Sequence, residues 1–348
     1  MTDRSVVWPG VPMALAAAVL FGAAAPFAKL LLGEVEPQLL AGLFYLGAGI
    51  GLAAVHFGRA ALGIPAPEAP LRAGDLPWLA AVVVFGGVLG PLLLMFGLAR
   101  TDAASGSLLL NLEGLFTMGI AWLVFRENVD RRLLLGALAI LVGAAILSCG
   151  GRGVEVDAGA VLIAAACLAW GIDNNFTRKL SSADPVLTAM IKGLAAGTVN
   201  AGFAMLSGAA IPPAASVCAS AMVGFLGIGI SLVLFVLAWT ARTSSYFSLA
   251  PFIGAVLAVG LLHEAVTANL VLAGLLMGFG LWMHLAERHE HEHPHEALEH
   301  EHSHRHDAHH RHTHEGPVSE PHSHWHRHAP LRHSHPHYPD LHHRHGHG

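Results

Sequence analysis

The chain has 348 residues, of which 54% are hydrophobic and 12% charged, and its formal net charge is −5 with histidine counted as neutral. A soluble globular domain carries about 25% charged residues, so this composition, with a mean hydropathy of +0.54, excludes an ordinary soluble fold. The three cysteines, Cys149, Cys167 and Cys218, form no CxxC and argue against a disulfide framework.

Turn residues and charges cut the body into ten apolar segments, at residues 12–33, 38–58, 76–99, 103–124, 131–150, 157–179, 185–208, 215–239, 243–262 and 267–286. At 1.5 Å per residue, each can cross a hydrocarbon core of about 30 Å as a helix. The first run is longer than a signal-peptide core and has no clear cleavage site after it, so a retained first helix is expected. Short joints such as Gly33-Glu34-Val35-Glu36-Pro37 and Ser182-Ala183-Asp184-Pro185 suit tight helix–helix turns. With the N-terminus inside, ten Arg or Lys residues fall at cytoplasmic ends and three (Lys29, Arg100 and Arg152) on the opposite side. The excess places both termini in the cytoplasm.

The chain repeats itself. Leu20-Phe21-Gly22 through Phe27-Ala28-Lys29 matches Ala169-Trp170-Gly171 through Phe176-Thr177-Arg178 at an offset of 149. Gly114 with Glu127 matches Pro251 with Glu264 at an offset of 137. The 12-residue difference fits a longer first-half loop around residues 64–75. Five helices is an odd number, so two copies in one membrane run upside-down to each other, a transporter architecture. The expected fold is therefore an all-α membrane protein of ten transmembrane helices in two inverted five-helix repeats, residues 1–150 and 151–287, followed by a disordered His-rich tail, residues 288–348.

With these motifs in order, the body resembles the drug/metabolite transporter superfamily, specifically its EamA-type group. Phe21-Gly22 and Trp170-Gly171 carry the resemblance in helices one and six. In helices four and nine, Leu112-Glu113-Gly114-Leu115-Phe116 leads to Arg126-Glu127 and Ala250-Pro251-Phe252 leads to His263-Glu264. Helices five and ten add glycine spacing, at Gly136 with Gly143 and at Gly274 with Gly280. Gly114 departs from the family, which usually has Pro there. The resemblance implies a secondary carrier, often an exporter, working without ATP, and leaves the substrate open.

Ionisable groups deep in a membrane are costly and point to function. Asp173 and Lys192 both lie about 10 Å from the cytoplasmic end at 1.5 Å per residue, where they can pair. Asn174 follows Asp173, and Asn200 lies eight residues beyond Lys192. Glu113 falls near the middle of the fourth helix, where low dielectric penalises its charged form and makes it a natural proton carrier. Ser107 and Asn111, four apart, can share a face with one another. Tyr246, with the hydroxyls before it, completes the expected pathway set. Glu127 and Glu264 read as helix caps or headgroup-level acids, and His56, His263 and His284 as solvated or packing residues near helix ends. No nucleophile–base pair, phosphate loop or cofactor motif points to an enzyme.

Residues 289–348 hold 23 of the 26 histidines. They recur two apart: His289, His291 and His293; His302, His304 and His306; His322, His324, His326 and His328; His333, His335 and His337. Imidazole suits Zn²⁺, Ni²⁺ and Co²⁺, so a divalent transition metal bound by the tail is expected, while the near absence of aliphatic residues predicts disorder without metal. The leading expectation is a small-solute transporter of the bacterial inner membrane, with a metal-binding cytoplasmic tail. A divalent metal exporter proper and a membrane-anchored metal buffer or sensor are the alternatives. The partners expected are a small-molecule or metal-ion substrate and the lipid bilayer, with no nucleic acid and with a homodimer left open.

Overall fold

A computed structural model describes residues 10–63, 71–125, 131–149, 157–180, 184–238 and 246–285, together with the backbone of four short strands in the tail. Among the described residues, nine helices are long and apolar enough to cross a membrane. They are α1 (Gly10–Leu31), α2 (Pro37–Ala61), α3 (Ala73–Leu98), α4 (Ala103–Val124), α5 (Arg131–Ser148), α6 (Ala158–Leu180), α7 (Pro185–Leu206), α8 (Ala214–Leu237) and α10 (Ala268–Leu285). Between α8 and α10 lies α9 (Ala250–Leu262), apolar but only 13 residues long. The ninth segment is thus shorter than the 243–262 expected. Pro251 sits in its first turn, where the missing N–H costs nothing. Residues 246–247 are helical and 248–249 form a turn ahead of it, and 239–245 lie outside the described residues.

The helices start where side-chain acceptors meet orphan amides. Glu36 accepts from the Leu39 amide at 3.1 Å, Asp157 from Gly159 at 2.9 Å and Asp184 from Val186 at 2.8 Å. Proline opens both α2 and α7, at Pro37 and Pro185. The surfaces left over are oily: Leu134, Leu138 and Leu141 of α5 and Leu272, Leu275 and Phe279 of α10 are all exposed. In water such a surface would be a liability; in lipid it is the solvated face.

The packing has a pattern. α2 packs on α7, α4 on α9, and α5 on α10. The contact of α1 with α9 is mirrored by that of α6 with α4, α3 with α6 by α8 with α1, and α2 with α8 by α7 with α3. Each pairing survives exchange of helix n with helix n + 5. The agreement reaches single atoms. A Cβ on Gly22 would meet the Ala250 carbonyl and stand 3.2 Å from the Gly254 nitrogen, while one on Gly171 would stand 3.0 Å from the Thr117 nitrogen. Gly22 with Gly171, and Gly254 with Thr117, are the residues matched by the two sequence offsets. The two crossings are close because both glycines lack a side chain.

One end of the bundle is held by polar contacts between elements. Lys29 Nζ donates to the carbonyls of Leu98, at 2.6 Å, and Thr101, at 2.7 Å, closing the end of α3. Thr101 Oγ1 donates to Asp157 Oδ2 at 2.7 Å, joining α3 to α6. The two carboxylate oxygens of Glu264 each accept one amide of the first turn of α4, from Ala103 and Ala104, both at 2.7 Å. Glu264 is a helix cap, as its position suggested, but it caps a helix from the other half of the chain. Its counterpart Glu127 lies outside the described residues.

In the tail, Glu290–His295 pairs antiparallel with Leu331–Pro336, and Leu298–His304 with His322–His328. These four segments are extended rather than irregular, because an alternating His-x-His run with few prolines can pair its backbone groups with another such run. Two-stranded ribbons are marginal on their own in water, so the pairing does not make the tail a core-bearing domain. His289, His306 and His337 lie outside the described residues.

Replacing Glu264 with Ala strips both acceptors from the start of α4. Thermal unfolding in detergent should show a loss of about 0.5–2 kcal/mol, and Glu264→Gln, which keeps one acceptor oxygen, should lose less. Equal melting of all three proteins would remove the cap from the account of this end of the fold.

Candidate functional site

The site begins with an irregularity in α3. Residues Val83–Leu89 form an i→i+5 turn, in which the Gly90 amide reaches back to the Phe85 carbonyl. In a regular helix that amide would have served Gly86. The next residue, Pro91, has no N–H to offer. The Gly86 carbonyl is therefore left without a helical donor inside the bundle. Two side chains supply what is missing: Tyr45 Oη from α2 at 2.8 Å and Trp170 Nε1 from α6 at 3.0 Å. The matching stretch of α8, Phe225–Ile230, also makes an i→i+5 turn. Ser231 stands there in the place of Gly90, with its amide on the Leu226 carbonyl, and its hydroxyl donates to the Gly227 carbonyl at 2.6 Å.

Gly86 does a second thing. A Cβ at this position would run into the Asp173 carboxylate and lie 2.5 Å from Lys192 Nζ. The absent side chain leaves room for the Asp173–Lys192 ion pair, with Nζ 2.5 Å from Oδ2. Asp173 is only 4% exposed. Its other oxygen accepts from Thr177 at 3.4 Å.

Beside this pair, Glu113 projects from α4. The helical ladder tightens just before it: the amides of Leu110, Asn111 and Glu113 bond three residues back rather than four. Glu113 Oε1 accepts from Asn174 Nδ2 at 2.9 Å, and the same amide group reaches Thr117 Oγ1 at 3.1 Å. Asn175 behind it bonds the carbonyls of Thr117 and Gly171, fixing α6 to α4. Among the described residues, Glu113 forms no ion pair.

These groups face a cavity of about 300 Å³. Its polar lining comes from Glu113, Asp173, Asn174, Lys192 and Tyr45. Its apolar lining includes Phe21, Phe44, Met95, Phe235 and Phe247. Phe247 stacks at a tilt on Phe21, with centroids 5.1 Å apart, and on Phe235, at 4.9 Å. The cavity lies partway along the helices, with walls from α1, α2, α3, α4, α6, α7 and α8.

Four of the eight residues expected on the pathway thus meet here. The other four lie elsewhere. Ser107 is buried at the α4–α9 crossing against Gly254. Asn111 is turned to its own Leu108 carbonyl, at 2.8 Å, and to Met277 of α10. The i→i+3 tightening at 107–113 is why Ser107 and Asn111 do not share a face. Asn200, fully buried, donates to the Val88 carbonyl at 3.2 Å, serving the irregular turn of α3 from behind. Tyr246 is exposed, and its neighbour Phe247 faces the cavity instead. Sequence reasoning passed over Tyr45 and the phenylalanines, because an aromatic in an apolar helix looks like core. Pro91 was the one available signal, since proline inside a membrane helix implies a carbonyl in need of a donor. Among the described residues, no three His, Cys, Asp or Glu side chains converge as a metal site. His284 bonds the Leu133 carbonyl at 3.1 Å between α10 and α5, and His56 lies 3.8 Å from Asp184.

Known proteins share parts of this sequence and fold. Residues 8–149 match the sequence model of the EamA-like transporter family. An uncharacterized transporter of Methanothermobacter thermautotrophicus is 27% identical over 288 residues, covering 77% of this chain and 84% of the relative. A solved structure, described only as the crystal structure of a protein, aligns with a TM-score of 0.58 at 20% identity, over 79% of this chain and 95% of that one. That last likeness speaks to the fold alone. Together with the nine apolar helices, the family match identifies an integral membrane protein.

The donors to Gly86 make a direct test. Tyr45→Phe or Trp170→Phe alone leaves one donor in place, and the double substitution leaves a buried carbonyl with none. The double variant should lose about 1–3 kcal/mol beyond the sum of the singles, read from unfolding curves in detergent. Additive behaviour would mean that water or the backbone serves that carbonyl.

Proposed function

We propose that this chain is a secondary transporter, working as an exporter, that moves a small solute by alternating access. The moving parts are two inverted repeats, residues 1–150 and 151–287, in a bacterial inner membrane with both termini in the cytoplasm. The observation that carries the reading is the cavity: ionisable side chains line a space partway through a bundle whose helix contacts survive exchange of its two halves. A static membrane scaffold gains nothing from placing Glu113 there, because an intramembrane carboxylate costs several kcal/mol unless it is paired or put to use. Glu113 serves as the coupling group. It meets one neutral donor and can take up or give up a proton as the solute comes and goes, while the Asp173–Lys192 pair holds α6 to α7. The family match over the first half, and the relative named as a transporter, support this reading.

The tail is a second layer of the same proposal. It binds a divalent transition metal (Zn²⁺, Ni²⁺ or Co²⁺) and reports metal to the carrier. Its composition supports this, as does a strand register that sets His291 opposite His335, His293 opposite His333 and His302 opposite His324. Imidazoles paired across a ribbon can share an ion without a preformed pocket.

Proteoliposomes loaded with a pH-sensitive dye test the whole. A panel of cationic, anionic, zwitterionic and neutral solutes is added under an imposed proton gradient. At least one solute should drive proton flux above that of empty vesicles. Glu113→Gln should remove that flux, and truncation after residue 287 should leave it little changed. If no solute moves protons while the full chain still retains Zn²⁺, the protein is a membrane-anchored metal buffer instead.

A further inference from the structure

The cavity also says what kind of solute it takes, an inference that rests on the transport reading. Three ionisable groups line it besides Tyr45: Glu113, Asp173 and Lys192. The last two neutralise each other at 2.5 Å. Recruiting Lys192 to an anion would leave Asp173 buried without its partner, which is strongly unfavourable. Among the described residues, the charge available to a ligand is therefore that of Glu113, and it is negative.

The two halves of the chain contribute unequally. At the offsets that superpose the repeats, Glu113 corresponds to Ala250, Asp173 to Ala24 and Asn174 to Ala25. Aligning the opening prolines of α2 and α7, Pro37 and Pro185, sets Lys192 against Phe44. Among the described residues, every charged group lining the cavity thus comes from α4, α6 or α7, and the corresponding positions of the other half are alanine or phenylalanine. The cavity is thus lined by one set of charged groups and one set of aromatic ones, rather than by two equivalent half-sites.

The aromatic set is a cluster in contact: Phe247 touches both Phe21 and Phe235. Ring faces attract a cation and also accept an apolar body. A volume of about 300 Å³ is at the small end for small-molecule pockets. A divalent metal ion is a poor fit, since it needs several oxygen or nitrogen donors at once and only Glu113 is outside the ion pair.

The geometry points to a small amphipathic organic monocation as the ligand: an ammonium group against Glu113, and a ring or short alkyl body against Phe21, Phe235 and Phe247.

Calorimetry on the full chain in lipid nanodiscs tests this with four single-ring probes. They are benzyltrimethylammonium (cation), phenylalanine (zwitterion), 3-phenylpropionate (anion) and 3-phenylpropanol (neutral). The cation should bind one per chain, and the other three should bind at least about tenfold more weakly. Glu113→Gln should cost the cation about tenfold or more, Glu113→Asp should keep most of its affinity, and Phe247→Ala should weaken it. Retained binding in Glu113→Asp separates loss of charge from loss of fold. Equal or tighter binding of phenylalanine or 3-phenylpropionate would overturn the proposal. So would cation binding that ignores Glu113→Gln, or that is displaced by Ni²⁺ in a chain truncated after residue 287. The two readings fail separately: flux of some other solute without cation binding sinks only the ligand class, and cation binding without flux of any solute sinks only the transport.

Discussion

A single backbone carbonyl organises the centre of this protein. The i→i+5 turn of α3 and the missing N–H of Pro91 leave Gly86 with an acceptor that no helical donor reaches. Lipid cannot supply one, and an unsatisfied carbonyl in that environment is expensive. Tyr45 and Trp170 are drawn to it from α2 and α6. Because the residue is glycine, the Asp173–Lys192 pair can lie directly against the same backbone. Four helices therefore converge on one residue, and the cavity forms beside the point where they meet. Removing any one member would disturb the position of the others, which is why the polar lining is better seen as one unit than as separate side chains.

Much of the body was legible because membrane solvation is unforgiving. Apolar runs of about 20 residues have few alternatives to spanning helices, and the segment boundaries from sequence lie within a few residues of most helices observed. In the ninth, hydropathy continues smoothly across 243–262, but it does not register the turn at 248–249 ahead of Pro251. Two short matches suggested an internal repeat, and at their offsets Gly22 and Gly171 both lie close against the backbone of a crossing helix.

The site was half legible. Charge in an apolar context drew attention to Glu113, Asp173 and Lys192, and adjacency brought in Asn174. The same rule over-reached with neutral polar residues. Ser107, Asn111 and Asn200 are small enough to be absorbed by packing or by a nearby carbonyl, and their one-dimensional context is the same as that of Asn174. Tyr45 and the phenylalanine cluster failed in the opposite direction. Their role depends on which face of a helix meets empty space, and hydropathy along a membrane helix, being nearly uniform, carries little information about facing.

The Glu264 cap bears on the proposed rocking of the two halves. The carboxylate belongs to the connection between α9 and α10, and the amides it holds open α4, in the other half of the chain. If the halves rock apart at this end, the contact breaks at the rim of the bundle, where water can solvate both partners as they separate. A latch placed there is reversible on the timescale of turnover, because the solvent takes over each bond as it is lost. The same two bonds placed beside Gly86 would have no such substitute and would weld the halves together. The location of the cap therefore fits an end that opens and recloses, and the buried donors around Gly86 fit a pivot that stays whole.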